Sequence, residues 1–258
     1  MQPRNGNVVC DLDGVVYLLG RPVPGAGQAL IELDEAGYAI VFVTNNSTRS
    51  PDMIAARIER MTGYPARAPQ VIGSGQAAVT MLTEDAGPVF VVGGGGIRQA
   101  LDVAGVPETK DPRAAGAVIV GLDTAISYER LRDATVAVRS GARFIATNTD
   151  ATYPTPEGLW PGAGAMVAAI QIATGIEPEI AGKPHPPIRS LIRARLVAGP
   201  VWVVGDRPET DLAMAKLEGW TSVLVLTGAV DEASQVPEEY RPDLTVASLA
   251  DLPEALHA

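Results

Sequence analysis

Asn7-Val8-Val9-Cys10 runs straight into Asp11-Leu12-Asp13-Gly14-Val15-Val16-Tyr17, and the fold turns on how that join is read. The first four residues form a short run of buried-strand type. Two carboxylates with one residue between them then stand where the strand ends. In an open parallel sheet, ligands bind beyond the carboxyl ends of the strands. Two like charges about 4 Å apart repel by roughly 4 kcal/mol at an effective dielectric of about 20. A bound metal ion or a shared proton would relieve that repulsion. Asp and Gly are also ordinary turn residues, so the run by itself reads equally as a strand-ending turn.

Outward from this join, strand and helix patterns alternate. A helix pattern over 26–36 stops at Gly37. Tyr38-Ala39-Ile40-Val41-Phe42-Val43 is a continuous apolar run closing at Thr44-Asn45-Asn46. Ser50-Pro51 opens a helix as N-cap and first helical residue. Val71-Ile72-Gly73 reads as a strand, with a helix over 75–84 behind it. Further strands are expected at 89–92, 117–120, 144–146, 201–204, 222–226 and 243–246, and helices at 97–104, 127–139, 163–174, 187–197 and 208–218. This order implies an α/β fold of parallel sheets with right-handed crossovers. The polar residues of interest fall near 11, 44, 183 and 206. The expected division is therefore a discontinuous core, 1–83 and 179–258, with an α/β domain, 84–178, inserted into it.

Three more segments fit the same chemistry. Val43-Thr44-Asn45-Asn46 ends a strand with a hydroxyl and backbone amides ahead of a helix, a suitable cradle for phosphate oxygens. Gly182-Lys183-Pro184 offers a lysine, a point charge suited to phosphate. Gly205-Asp206-Arg207-Pro208-Glu209-Thr210-Asp211 supplies two more acids after a buried strand, hard oxygen donors of the kind Mg2+ takes. Each alone has an ordinary reading: a polar loop, a solvated lysine, an acid at a helix start.

Together, in this order, the four segments resemble the haloacid dehalogenase (HAD) superfamily of phosphohydrolases, over the whole chain. The likeness is closest to the branch with a large cap between the second and third motifs, the NagD-type and 4-nitrophenylphosphatase-type enzymes. Tyr17, the Thr44-Asn45-Asn46-Ser47 run and Gly205-Asp206-Arg207 with Thr210-Asp211 are each similar to that branch; Pro208 and Glu209 stand where a Leu-Asp pair is more usual. The resemblance implies a Rossmann-like core with a cap, and a Mg2+-dependent phosphatase acting on a small phosphorylated metabolite such as glycerol 3-phosphate or 2-phosphoglycolate. It implies Asp11 as nucleophile, forming an aspartyl-phosphate, and Asp13 as general acid and then base. Mg2+ would be held by the Asp11 carboxylate, the Asp13 carbonyl and Asp206, with Asp211 as ligand or support. Thr44, Asn45, Asn46 and Lys183 would hold phosphate oxygens. Asn148 and Asp150, in the polar run after the 144–146 strand, are the candidates for substrate contact in the cap, and related enzymes suggest a homodimer through that cap. Trp160 reads as lining the entrance or as a tucked-in aromatic.

Composition limits the other readings. The 258 residues carry a net charge of −10, which argues against nucleic acid and an anionic membrane surface as partners. Hydrophobic residues at 47% suffice for a sizeable core, and no apolar run approaches the ~20 residues of a spanning helix. Met1-Gln2-Pro3-Arg4-Asn5-Gly6 runs into a short apolar strand and lacks a secretory profile, and the single Cys10 reads as a core residue of a cytoplasmic protein. His185 and His257 suggest no metal motif. Gly93-Gly94-Gly95-Gly96 could serve a dinucleotide oxidoreductase, but Arg98 replaces the third glycine, and a tight turn is the preferred reading. A sugar-phosphate phosphotransferase and a non-catalytic phosphate-metabolite binding protein are the remaining alternatives.

Overall fold

The structure, a computed structural model, describes residues 5–257. The first four residues of the Met1–Gly6 stretch, expected to lack a secretory profile, lie outside them. The chain opens with β1 (Gly6–Cys10), a hairpin of β2 (Tyr17–Leu18) and β3 (Arg21–Pro22), α1 (Ala26–Glu35), β4 (Tyr38–Thr44), α2 (Pro51–Thr62) and β5 (Val71–Gly73). Next come α3 (Ser74–Val79), β6 (Val89–Val92), α4 (Gly95–Ala104), β7 (Ala117–Val120), α5 (Tyr128–Arg139) and β8 (Arg143–Ala146). A hairpin of β9 (Thr152–Thr155) and β10 (Gly158–Pro161) leads to α6 (Ala163–Thr174), β11 (Glu179–Ile180) and α7 (Pro186–Arg193). The chain ends with β12 (Val201–Gly205), α8 (Ala213–Glu218), β13 (Thr221–Val225), β14 (Leu244–Val246) and α9 (Leu252–His257).

Two compact units result. The first takes the described residues of Met1–Thr44, Asp52–Ile72 and Arg189–Ala258; the second takes Asn45–Pro51 and Gly73–Ile188. The second is wider than the expected 84–178 insert because α3 packs on α4 and β11 pairs with β8.

The first unit is built on a six-stranded sheet in the order β14-β13-β12-β1-β4-β5, parallel from β14 through to β4. β1 and β4 are buried along their whole length, as continuous apolar strands covered on both faces must be. The chain leaves β1 toward β4 on one side and returns through β12 on the other. The order therefore reverses between β1 and β12, where ligands of such sheets bind. Asn7 pins that pair: its side chain donates to the Val197 and Pro200 carbonyls at 2.9 and 3.3 Å and accepts from the Val197 amide at 2.8 Å. The amphipathic helices add Leu30 and Leu33 of α1 and Ile54 and Ile58 of α2 to the core, each worth ~1.5–3 kcal/mol when fully buried.

The second unit holds a four-stranded parallel sheet, β11-β8-β7-β6, with its own apolar core from Phe90, Val118, Phe144, Val167 and Ile170. The β9–β10 hairpin lies outside that sheet, and Trp160 on it is 44% exposed, so it is not a tucked-in aromatic. No helix among the described residues is long and apolar enough to cross a membrane.

Two helices are shorter than expected. The 75–84 pattern stops at Val79, where the Thr80 hydroxyl bonds the Ala77 carbonyl at 2.7 Å and the next amides reach back only three residues. The 187–197 pattern stops at Arg193 in the same tapering way.

The β13–β14 edge is tied by Asp243, whose carboxylate accepts from the Ser222 amide at 2.8 Å and its hydroxyl at 2.7 Å. These bonds hold the carboxyl below the usual aspartate range. A folded-state value below the unfolded one stabilises the protein above about pH 4, and the benefit fades as pH falls through the depressed value. Asp243→Ala is expected to cost about 1 kcal/mol at pH 7, discounted for the exposure of this side chain, with the difference from the parent shrinking toward pH 3. Urea denaturation at both pH values measures it; an equal loss at both would refute the carboxylate's role.

Candidate active site

β1 and β12 pair with Cys10 opposite Val204, so Asp11 and Asp206 emerge from neighbouring strands at the same end of the sheet. The Asp11 amide continues the ladder to the Val204 carbonyl at 2.9 Å. Asp211 joins them, and one carboxylate oxygen from each of Asp11, Asp206 and Asp211 lies within 4.8 Å of the others, all three residues buried. Each close pair of anions would repel by roughly 4 kcal/mol at an effective dielectric of about 20. Burial makes the repulsion harder to screen. Three hard oxygen donors so arranged fit a small divalent cation, Mg2+ above all, which accepts a few carboxylates and keeps waters or phosphate in its remaining positions.

Local structure aims these acids. Asp206 Oδ2 accepts from the Ala229 amide at 2.7 Å. Pro208–Leu212 is a π-helical turn ahead of α8, not the plain helix start expected at 208. Within it the Asp211 carboxylate turns back to the Arg207 amide at 3.3 Å and the Thr210 hydroxyl at 3.4 Å. Pro208 stands at the first position of the turn, where a missing amide costs no intrahelical bond. Glycines make the close approach possible. A Cβ on Gly14 or Gly228 would strike the Asp206 carboxylate, and one on Gly205 would strike Asp211. Gly14 also has φ +90, which side-chain-bearing residues rarely adopt.

Asp13, half-buried, lies in a loop closed on itself. The Leu12 carbonyl accepts from the Val15, Val16 and Tyr17 amides at 3.3, 2.9 and 3.1 Å, and the Gly14 amide donates to the Tyr17 carbonyl at 2.8 Å. The Thr227 hydroxyl holds the Gly14 carbonyl at 2.5 Å. Thr44 ends β4 and is buried.

The second unit gathers three other predicted residues around Asn45. Its carboxamide oxygen accepts from the Lys183 amide at 2.8 Å, and its nitrogen donates to the Asp150 carboxylate at 3.2 Å. The Asn45 carbonyl accepts from the Ser74 hydroxyl at 2.5 Å and the Asn148 side chain at 2.7 Å. Lys183, only 5% exposed, follows β11, and Asn148 follows its neighbour β8. The Asn46 carboxamide oxygen accepts from the Thr48 amide at 2.9 Å and hydroxyl at 2.6 Å and closes its own turn.

Residues beyond the sequence reading complete both groups. Gly228 follows β13 and was detectable as a glycine past a strand end; Ser74 and the Ser47–Thr147 hydroxyl contact at 3.2 Å carried no such signal. The Gly93–Gly96 run serves packing: Gly94 and Gly96 lie against the backbone of Thr48 and Arg49, leaving no room for a Cβ. Arg98 folds back onto the Gly93 carbonyl at 2.7 Å, so the turn is occupied by its own chain.

Comparison with known proteins shows what the chain is similar to. A family model described as haloacid dehalogenase-like hydrolase matches residues 8–107, and a second, HAD-hydrolase-like, matches 180–252. The acid sugar phosphatase of Staphylococcus saprophyticus is 34% identical over 238 residues, covering 89% of this chain and 91% of that protein. The p-nitrophenyl phosphatase from Archaeoglobus fulgidus superposes with a TM-score of 0.88 at 32% identity, over 98% of this chain and 100% of that one. The glycerol phosphate phosphatase from Mycobacterium tuberculosis in complex with magnesium gives 0.87 at 33% identity, over 97% of this chain and 77% of that one.

Gly228→Ala tests the carboxylate geometry. It retains every acid but displaces the Asp206 side chain, and Mg2+ affinity is expected to fall on the order of 10-fold or more. Isothermal titration of the apo protein measures this; unchanged affinity would show that Asp206 does not need the space Gly228 leaves.

Proposed function

The chain belongs to the haloacid dehalogenase-like hydrolases, and on that premise we propose how this Mg2+-dependent phosphatase works and what it works on. The buried Asp11–Asp206–Asp211 cluster carries the proposal. An Asp11 oxygen attacks phosphorus, forming the aspartyl-phosphate as the ester P–O bond breaks. Asp13 gives a proton to the departing alkoxide and then takes one from water, which attacks phosphorus and frees Asp11 and phosphate. Mg2+, held by Asp11, Asp206 and Asp211 with the Asp13 carbonyl, would offset their negative charge and polarise a phosphoryl oxygen. Thr44, the Asn45 and Asn46 backbone and the Lys183 ammonium bind the other phosphoryl oxygens.

Asn148 and Asp150 are proposed to act through Asn45: Asn148 steadies its carbonyl and Asp150 its carboxamide. The functional division is proposed as core 1–83 and 179–258 with a cap, 84–178, that limits substrates to compact phosphate esters. Glycerol 3-phosphate heads the candidates because a glycerol phosphate phosphatase is among the similar structures; 2-phosphoglycolate follows. The proposed compartment is the cytoplasm, where the single buried Cys10 stays reduced. A homodimer through the cap is proposed on the uncharged, exposed side of α6, which includes Ala165, Ala169 and Ile172.

Phosphate release from a panel of small esters is expected with Mg2+ and expected to vanish with EDTA. Asp11→Asn should remove turnover, by a factor of at least ~10^3, while leaving the thermal melting point close to that of the parent. Turnover retained by that variant would refute the nucleophile. Light scattering that finds only monomer at micromolar concentration would dismiss the homodimer.

A further inference from the structure

We propose that Arg57 is a positioning residue for the general acid–base Asp13, acting through the ring of Tyr17. The inference rests on the phosphatase reading above and adds to it a residue on a different element. The Arg57 guanidinium carbon lies 4.3 Å from the centroid of the Tyr17 ring, well inside the range of a cation–π contact. Arg57 is half-buried on α2, whose Ile54, Ala55 and Ile58 anchor it in the same core as Tyr17. Tyr17 itself is 3% exposed, so the ring side of the contact is withheld from water, and a cation–π attraction strengthens on desolvation.

Tyr17 is the residue through which the Asp13 loop closes. Its amide is one of three that meet at the Leu12 carbonyl, and its carbonyl receives the Gly14 amide at 2.8 Å. Leu12 and Gly14 flank Asp13, which also forms a backbone bridge with Tyr17. Both neighbours of the acid–base are therefore referred to the Tyr17 backbone. The Tyr17 ring is the part of that residue gripped from outside the loop. A helix that holds the ring holds the loop, and through it the direction in which the Asp13 carboxyl presents its proton. A displacement of about 1 Å in such a group is enough to reduce proton transfer strongly.

The test exploits leaving groups. kcat/KM reports steps up to formation of the aspartyl-phosphate. A nitrophenolate departs without a proton, whereas the alkoxide of glycerol 3-phosphate needs one from Asp13. In Arg57→Met, kcat/KM for glycerol 3-phosphate is expected to fall about 5- to 20-fold, and for p-nitrophenyl phosphate less than about 2-fold. Arg57→Lys, which keeps a cation over the ring, should recover most of the loss. Tyr17→Leu should reproduce the Arg57→Met pattern, and the double variant should be no worse than either alone. Equal losses on both esters, or none on either, would overturn the proposal. If Arg57→Met does not fold, as judged by its melting curve, Arg57→Gln is read against Arg57→Lys by the same two-substrate ratio. Failure of the parent protein to release phosphate from either ester with Mg2+ would overturn the phosphatase reading and this inference together. An active parent with parallel losses overturns the inference alone.

Discussion

Mutual repulsion among Asp11, Asp206 and Asp211 is the constraint around which the first unit is arranged. Carboxylates within 4.8 Å of one another and shielded from water are costly in the absence of a cation. The sheet could avoid the cost by spreading its acids over distant strands. Instead β1 and β12 are neighbours, Asn7 locks their amino ends together, and the strand order reverses between them. Each of these features brings the acids closer. A fold that concentrates negative charge in this way gains only if something positive arrives, so binding of a divalent cation and stability of the acid cluster are linked.

The second unit solves a different problem, how to fix a buried lysine and the loops around it. Lys183 is almost fully buried, and its backbone is fastened to Asn45, whose own carbonyl is held by Ser74 and Asn148. The Asn45 carboxamide acts as a strut, tying the Lys183 backbone to the Asp150 carboxylate. Fixing a loop by such struts before any ligand arrives removes conformational freedom that binding would otherwise have to remove.

Legibility of the sequence followed the range of the interactions. Asp11 and Asp206 could be read because each ends a continuous buried strand, a pattern visible within a few residues. Lys183 could be read as chemistry, but its sheet could not: β11 is two residues long and carries no periodicity. The β9–β10 hairpin was hidden by Pro154, Pro156 and Pro161, residues that argue against strands except at edges. The π-helical turn at Pro208 depends on how Asp211 folds back on Arg207, which no spacing rule reports. The Asn45–Asp150 and Asn45–Lys183 bonds join residues 105 and 138 positions apart, and a single sequence holds no trace of such pairings.

Charge and position at the carboxylate cluster are set by different residues. The acids supply the charge, yet their placement depends on Gly14, Gly205 and Gly228, each of which lacks a side chain where a carboxylate must pass. The contrast with Asp243 is instructive. That acid is exposed and is held by two bonds from one serine, which lower its pKa and fasten a strand edge. Asp206 and Asp211 are instead walled by bare backbone, so their oxygens can stand close to one another where ordinary residues would keep them apart. A β-carbon at any of the three glycines would leave the charge intact and spoil the arrangement. Removing an acid would leave the space and spoil the charge. A cluster able to hold a cation needs both, so these glycines belong to it as fully as the carboxylates they surround.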